Sequence, residues 1–298
     1  MEFTLDQLRG FVTVAEELHF GRAAARLQMT QPPLSRQIQK LERAVGAQLL
    51  ERGNRSAVLT TAGTAFLVEA RRLLALADAA PVLARRVSEG SAGVVRLAFT
   101  AASTFAVLGD LLNRVAAGLP DVELVLFEMV TRDQVAALVN EEIDLGLARP
   151  PFDHEMFGSR VLHREALVVA LPGGHPLAGT GRRLGSDDLA GERVIMHSPD
   201  QARYFYDLIV GLVDLPHQNV VHTVSQILTM LWLVQANRGL AFVPESARRL
   251  GIAGVEFAEL DTPIAEPVEL HLLWPRESRN PALRSVLAVL DDEQSDTC

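Results

Sequence analysis

Arg36, Gln39 and Arg43 stand three and four residues apart in QPPLSRQIQKLERAVG, residues 31–46. An arginine can clamp guanine O6 and N7, and a glutamine can clamp adenine N6 and N7, so these residue types at this spacing suit the base edges of a DNA major groove. They need a helix to act together. At about 100° per residue, Leu34, Ile38, Leu41 and Val45 form one apolar stripe, and Arg36, Gln39 and Arg43 fall on the opposite side. Ser35 lies on the flank near the helix start, where a hydroxyl can meet a phosphate with the help of the helix dipole. Gln31, Pro32 and Pro33 open that helix, in the turn where a missing proline N–H has no partner to lose.

The neighbouring segments decide between a reading helix and an ordinary amphipathic helix with a solvated face. Thr4 and Gln7 fit a capping box, followed by Leu5, Leu8, Phe11, Val12 and Ala15 at helical spacing. A second short helix, 21–29, is rich in alanine (Ala23, Ala24, Ala25), which permits close approach of a partner helix. After the third helix, LLERGNRSAVLT reads as two short apolar runs around a polar turn at 53–56. That is a β-wing with Arg52 and Arg55 at its tip. The proportions are those of an all-α winged helix-turn-helix over residues 1–60.

The net charge of the 298 residues is −9, which by itself argues against nucleic acid. Residues 1–60 carry eight Arg and Lys against six Asp and Glu, or +2; the remainder carries 20 against 31, or −11. A mildly basic head on an acidic body allows local phosphate attraction. Cys298 is the only cysteine, so no intrachain disulfide forms. The N-terminus lacks the basic start and apolar core of a signal peptide, and the longest apolar run, near 227–234, is far short of the roughly 20 residues of a membrane span. A cytoplasmic protein with no membrane contact is expected. Nucleophile-elbow, Walker, zincin and dinucleotide-binding motifs are absent, and His217 and His222 are poorly spaced as ligands. The expectation is therefore no enzyme, no metal and no cofactor.

Residues 61–90 read as a long linker helix starting at Thr61, with Phe66, Leu67, Leu73, Leu74, Ala77, Leu83 and Val87 as its apolar side. Such a helix is marginal alone and needs a partner. Pro81 predicts a bend or break near 79–81. In residues 91–298 strand and helix signals alternate: strands at 94–99, 122–127, 143–147, 166–171, 194–197, 220–224, 240–243 and 268–274, with helices between them and at 282–290. This predicts two α/β lobes, one of about 91–163 with 268–298 and the other of about 164–267, enclosing a cleft. Ligands of open α/β sheets sit beyond the carboxyl ends of strands. That rule selects Ala102, Ser103, Thr104, Thr131, Arg149, Ser198, Arg203, Tyr204, Phe205 and Gln226. Ser103, Thr104 and Thr131 would donate hydrogen bonds, Arg149 or Arg203 would neutralise a carboxylate, and Tyr204 and Phe205 would cover an apolar body. Simple helix capping by the hydroxyls, a surface ion pair of Arg149 with Glu142 or Asp144, and a solvated Arg203 are the alternatives.

Residues 5–67, with QPPLSRQIQKLE and LLER…LTTAG the most specific parts, resemble the LysR-type transcriptional regulators, and the likeness extends more loosely through the body. The nearer branch resembles regulators of aromatic-compound catabolism, which share QPPLSRQ. The resemblance implies DNA contacts at Gln31, Pro32, Ser35, Arg36, Arg52 and Arg55. It implies linker helices that pair into a dimer and then a tetramer, and a periplasmic-binding-protein-like effector domain for a small organic acid such as benzoate or muconate. Double-stranded operator DNA and RNA polymerase are the implied macromolecular partners. Ala102 stands where such regulators often have Ser or Thr.

Overall fold

The computed structural model of the protein describes residues 2–52 and 56–291, Arg52 by its backbone only. The chain divides into two compact units, residues 1–86 and 87–298.

In the first unit, α1 (Leu5–Glu17) begins with the expected capping box: Thr4 Oγ1 accepts the Gln7 N–H, and Gln7 Oε1 accepts that of Thr4. Helix α2 (Phe20–Arg26) is shorter than the 21–29 span. His19 caps it through Nδ1, and Gln28 takes a left-handed φ of 54° that ends it early. Helix α3 (Gln31–Val45) stops at Gly46, whose φ of 76° suits a residue without Cβ. Leu34, Ile38 and Leu41 are fully buried among Leu8, Phe11, Val14 and Ala23, while Val45 is only partly covered. Each such burial contributes about 1.5–3 kcal/mol. Gly10 brings α1 close to α3, since a Cβ there would lie 3.1 Å from Leu34 Cδ1. The strands β1 (Leu50–Arg52) and β2 (Ala57–Leu59) form the antiparallel wing, and the Ala57 N–H donates to Leu18 O at 2.9 Å, fastening the wing to the end of α1.

Helix α4 spans Thr61–Ser88. Its cap is Thr60, one residue earlier than expected, whose Oγ1 accepts the Gly63 N–H at 2.8 Å. The break expected near 79–81 does not occur: α4 runs on through Pro81. Proline removes a single N–H, and this stretch of helix is exposed, so the carbonyl it leaves unpaired can be hydrated. No helix among the described residues is long and apolar enough to cross a membrane.

The second unit begins with β3 (Gly93–Phe99), α5 (Leu108–Gly118), β4 (Val122–Glu128), α6 (Thr131–Val139), β5 (Leu145–Ala148) and β6 (Phe157–Glu165). It continues with β7 (Leu167–Pro172), α7 (Ser186–Leu189), β8 (Val194–His197), α8 (Arg203–Leu212), β9 (Val220–Val224), α9 (Ile227–Gln235), β10 (Leu240–Pro244) and β11 (Val255–Glu259), and ends with β12 (Val268–Pro275) and α10 (Pro281–Asp291). One five-stranded sheet has the order β4-β3-β5-β12-β6 and the other β11-β7-β10-β8-β9. In each, the βαβ-linked strands run parallel and the returning strands antiparallel. The chain passes between the sheets twice, at Ala166 and again between β11 and β12. The two sheets therefore form separate lobes with separate cores. Strands β6 and β11 carry no alternating apolar signal strong enough to predict them.

Candidate DNA-reading surface and inter-lobe site

With one side of α3 buried, the other is presented outward. Gln31, Pro32, Arg36, Gln39 and Arg43 are exposed and Ser35 is partly covered. Arg43 Nε donates to Gln39 O at 3.2 Å, which lays that guanidinium along its own helix. Glu42 Oε1 accepts the N–H groups of Leu49 and Leu50, tying the end of α3 to the start of the wing. The side chain of Arg52, and all of Arg55, lie outside the described residues. What the surface presents is a rigid helix bearing two amide side chains and two guanidiniums, the donor and acceptor set that base edges require.

The second cluster lies where the lobes meet. Arg149 follows the buried strand β5, and its N–H donates to Thr131 Oγ1 at 3.1 Å, fastening the start of α6 beside it. Its side chain does not pair with Glu142 or Asp144; Asp144 is held by Arg96. Arg149 is instead 4% exposed. Its Cζ sits 4.7 Å from the Phe205 ring centre and 5.4 Å from that of Tyr204. Nη1 donates to Glu269 O at 2.8 Å, and Nε has no partner. Burial pulls this guanidinium below its ordinary pKa, with the Glu165 carboxylate acting the other way, and it remains a cation at any ordinary pH.

Tyr204 and Phe205 reach Arg149 from the opposite lobe, from the first turn of α8. Tyr204 Oη accepts the Glu269 N–H at 2.6 Å and donates to Pro267 O at 3.2 Å, bridging onto β12 and the segment before it. His197, at the end of β8, stacks on Phe205 with ring centres 4.7 Å apart and 19° between planes. Its Nε2 lies 2.9 Å from Phe242 O. A carbonyl only accepts, so Nε2 carries the proton and Nδ1 holds a bare lone pair, which is buried without a partner.

Burial, aided by the Arg149 charge, lowers the His197 pKa from 6.5 to about 4. The folded state therefore resists protonation that the unfolded chain accepts. Stability contributed by the neutral ring is complete above pH 6.5 and is lost as pH falls toward 4. Unfolding by urea at stepped pH will show a decline of up to about 3 kcal/mol in this window, and His197→Gln will flatten that part of the profile.

Other expected ligand residues take different parts. Ser103 is fully buried and its hydroxyl donates to Thr100 O at 2.6 Å; Thr104 is exposed and donates to Ala101 O at 2.6 Å. Both spend their hydrogens on their own turn. Ala102 packs on the core of the other lobe. Arg203 is exposed and paired with Asp207, four residues on along the same helix, the solvated alternative for this residue. Ser198 Oγ accepts the N–H groups of Asp200 and Gln201, and Gln226 is an exposed helix-start residue. Arg149, Thr131, Tyr204 and Phe205 come together. His197 and Glu269 were missed, although His197 ends a strand that the sequence shows. Among the described residues no group of three or more His, Cys, Asp or Glu is arranged to hold a metal ion.

Residues 5–64 match the bacterial regulatory helix-turn-helix proteins of the lysR family, and residues 88–295 match the LysR substrate binding domain. An uncharacterized HTH-type transcriptional regulator of Escherichia coli, YnfL, is 39% identical, covering 96% of this chain and 97% of that one. BenM of Acinetobacter baylyi is 30% identical over 88% of this chain and 86% of that one. In the solved structures, full-length CbnR complexed with its target DNA matches with a TM-score of 0.79 at 27% identity, covering 97% of this chain and 98% of that chain. With both parts of the family matched in order along one chain, this protein belongs to the LysR family of DNA-binding transcriptional regulators, with a substrate-binding domain for an effector.

Proposed function

We propose that α3 and the wing read a specific operator, and that a small organic acid bound beside Arg149, between the lobes, controls that reading. The observation that carries the second half is the Arg149 guanidinium, buried at the lobe junction with Nε unsatisfied and aromatic rings over its face. An arginine fork matches a carboxylate in two parallel hydrogen bonds, and the rings of Tyr204 and Phe205 suit an apolar or aromatic body. Thr131 and Ser198 stand at the adjoining loop ends. An acid engaging Arg149 competes with the contact to Glu269 O and with the aromatic stack, which shifts the balance between open and closed lobes.

Reading half-sites requires two heads, and α4 supplies the means of pairing. In our reading the linker helices join two copies, and two such dimers form a tetramer near the gene's own promoter, within reach of RNA polymerase. The acid class is that of benzoate and muconate.

Thermal unfolding of the full chain with benzoate, cis,cis-muconate and sodium chloride at matched ionic strength tests the effector class. A rise with an acid and none with chloride is expected; no rise with either acid would overturn it. For DNA reading, Arg36→Ala should weaken binding to the footprinted operator by about 1–3 kcal/mol while leaving binding to random duplex nearly the same. Equal loss on both duplexes would reduce Arg36 to a phosphate contact.

A further inference from the structure

The opposite end of β12 from Glu269 holds a cavity of about 390 Å³, where that strand turns into α10. Five residues of strand, roughly 17 Å, separate it from the Arg149 cluster along β12. Its wall is mixed: Trp274 and Leu287, which pack against the core of this lobe, give it an apolar part beside a larger polar one. Trp274 is fixed in place, because the indole lies so closely over Gly158 that a Cβ there would collide with it. The rim is cationic. Arg276, Arg279 and Arg284 stand against one carboxylate, Glu277. That is a local excess of positive charge in a part of the chain that is otherwise strongly acidic. Arg276 is anchored through Nε to His154 O at 3.1 Å. Arg279 and Arg284 make no hydrogen bond or ion pair with any described residue.

We propose that this cavity is a second binding site, for a small organic carboxylate, separate from the inter-lobe site. The size falls within the range of small-molecule pockets, about 300–1,000 Å³. The guanidiniums at the rim supply paired donors for the carboxylate, and the indole and leucines cover the hydrocarbon body. A purely inorganic anion would leave the Trp274 and Leu287 part of the wall unused, so the carboxylate carries a small apolar body.

The chain has only two tryptophans, Trp232 and Trp274, so Trp232→Phe leaves Trp274 as the sole indole reporter in the full-length protein. Titration with cyclohexanecarboxylate and with hexanoate, neither of which absorbs with indole, should change Trp274 emission saturably. Sodium chloride at equal ionic strength should not. Adding Arg279→Ala and Arg284→Ala should weaken the apparent affinity roughly tenfold or more. Both arginines are exposed; if the double variant melts early, the single glutamine variants are read at a temperature where circular dichroism is native. Adding Arg149→Met instead should leave the Trp274 titration unchanged, which separates this site from the inter-lobe reading. A flat titration with both acids, a response equalled by chloride, or one that survives loss of both arginines would overturn the proposal.

Discussion

Replacing Leu76 and Leu83 together by glutamate will halve the size of the assembly in sedimentation equilibrium and lower its operator affinity by roughly a hundredfold or more. Of α4 only Gly63 and Ala70 are buried by the protomer itself. Leu73, Leu76, Leu83 and Val87 remain 40–68% exposed, and with exposed Ala80 between them their spacing runs three, four, three, four. That alternation averages 3.5 residues, the period of a seam between two helices. A 28-residue helix with such a seam uncovered has a ready partner in a second copy of itself. Glutamate is nearly as good a helix former as leucine, so circular dichroism should stay unchanged while like charges meet across the seam. The loss on DNA follows from mass action, because a head without its linker-paired copy engages one half-site and forgoes the effective concentration that holds the second head nearby. An assembly of undiminished size at micromolar concentration would show that α4 is not the seam.

The sequence shows most clearly those features whose physics is local. The apolar stripe of α3, the Thr4–Gln7 capping box and the buried β5 and β8 all declare themselves within a dozen residues. Arg149, Tyr204 and Phe205 were found because strand ends and helix starts can be placed from such signals. Between Arg149 and Arg203, the pairing of Arg203 has a local signal: Asp207 stands four residues on, at the spacing that pairs side chains on one helix face. What remained hidden depends on distant pairing. Strand β6, FGSRVLHRE, is half-covered along most of its length, and its register is set by β12 more than a hundred residues later. Glu269 joins the site through its main-chain carbonyl and N–H, and a main-chain group leaves no trace in residue type. The break allowed for at Pro81 is absent because the exposed backbone of that helix can bear one lost hydrogen bond.

Arg149→Met should lower affinity for the stabilising acid by about 2–4 kcal/mol, and Arg149→Lys by distinctly less. Methionine keeps an unbranched chain of similar reach, and its sulfur packs well against aromatic rings, so the Phe205 and Tyr204 stack persists while the cation and the Nη1 bond to Glu269 O disappear. Lysine retains the charge but offers a point donor where arginine offers a planar fork. The ordering Arg over Lys over Met in isothermal titration therefore distinguishes paired hydrogen bonding from plain charge attraction. If Lys equals Arg, the carboxylate meets only a positive potential and the unsatisfied Nε plays no part. If Met responds as Arg does, the acid binds without touching this residue, and the aromatic cover over a buried guanidinium is a structural joint between the lobes and nothing more. An intermediate rank for Lys, read at a pH low enough to keep a buried lysine charged, fits paired hydrogen bonding, since burial strips the proton from lysine more readily than from arginine.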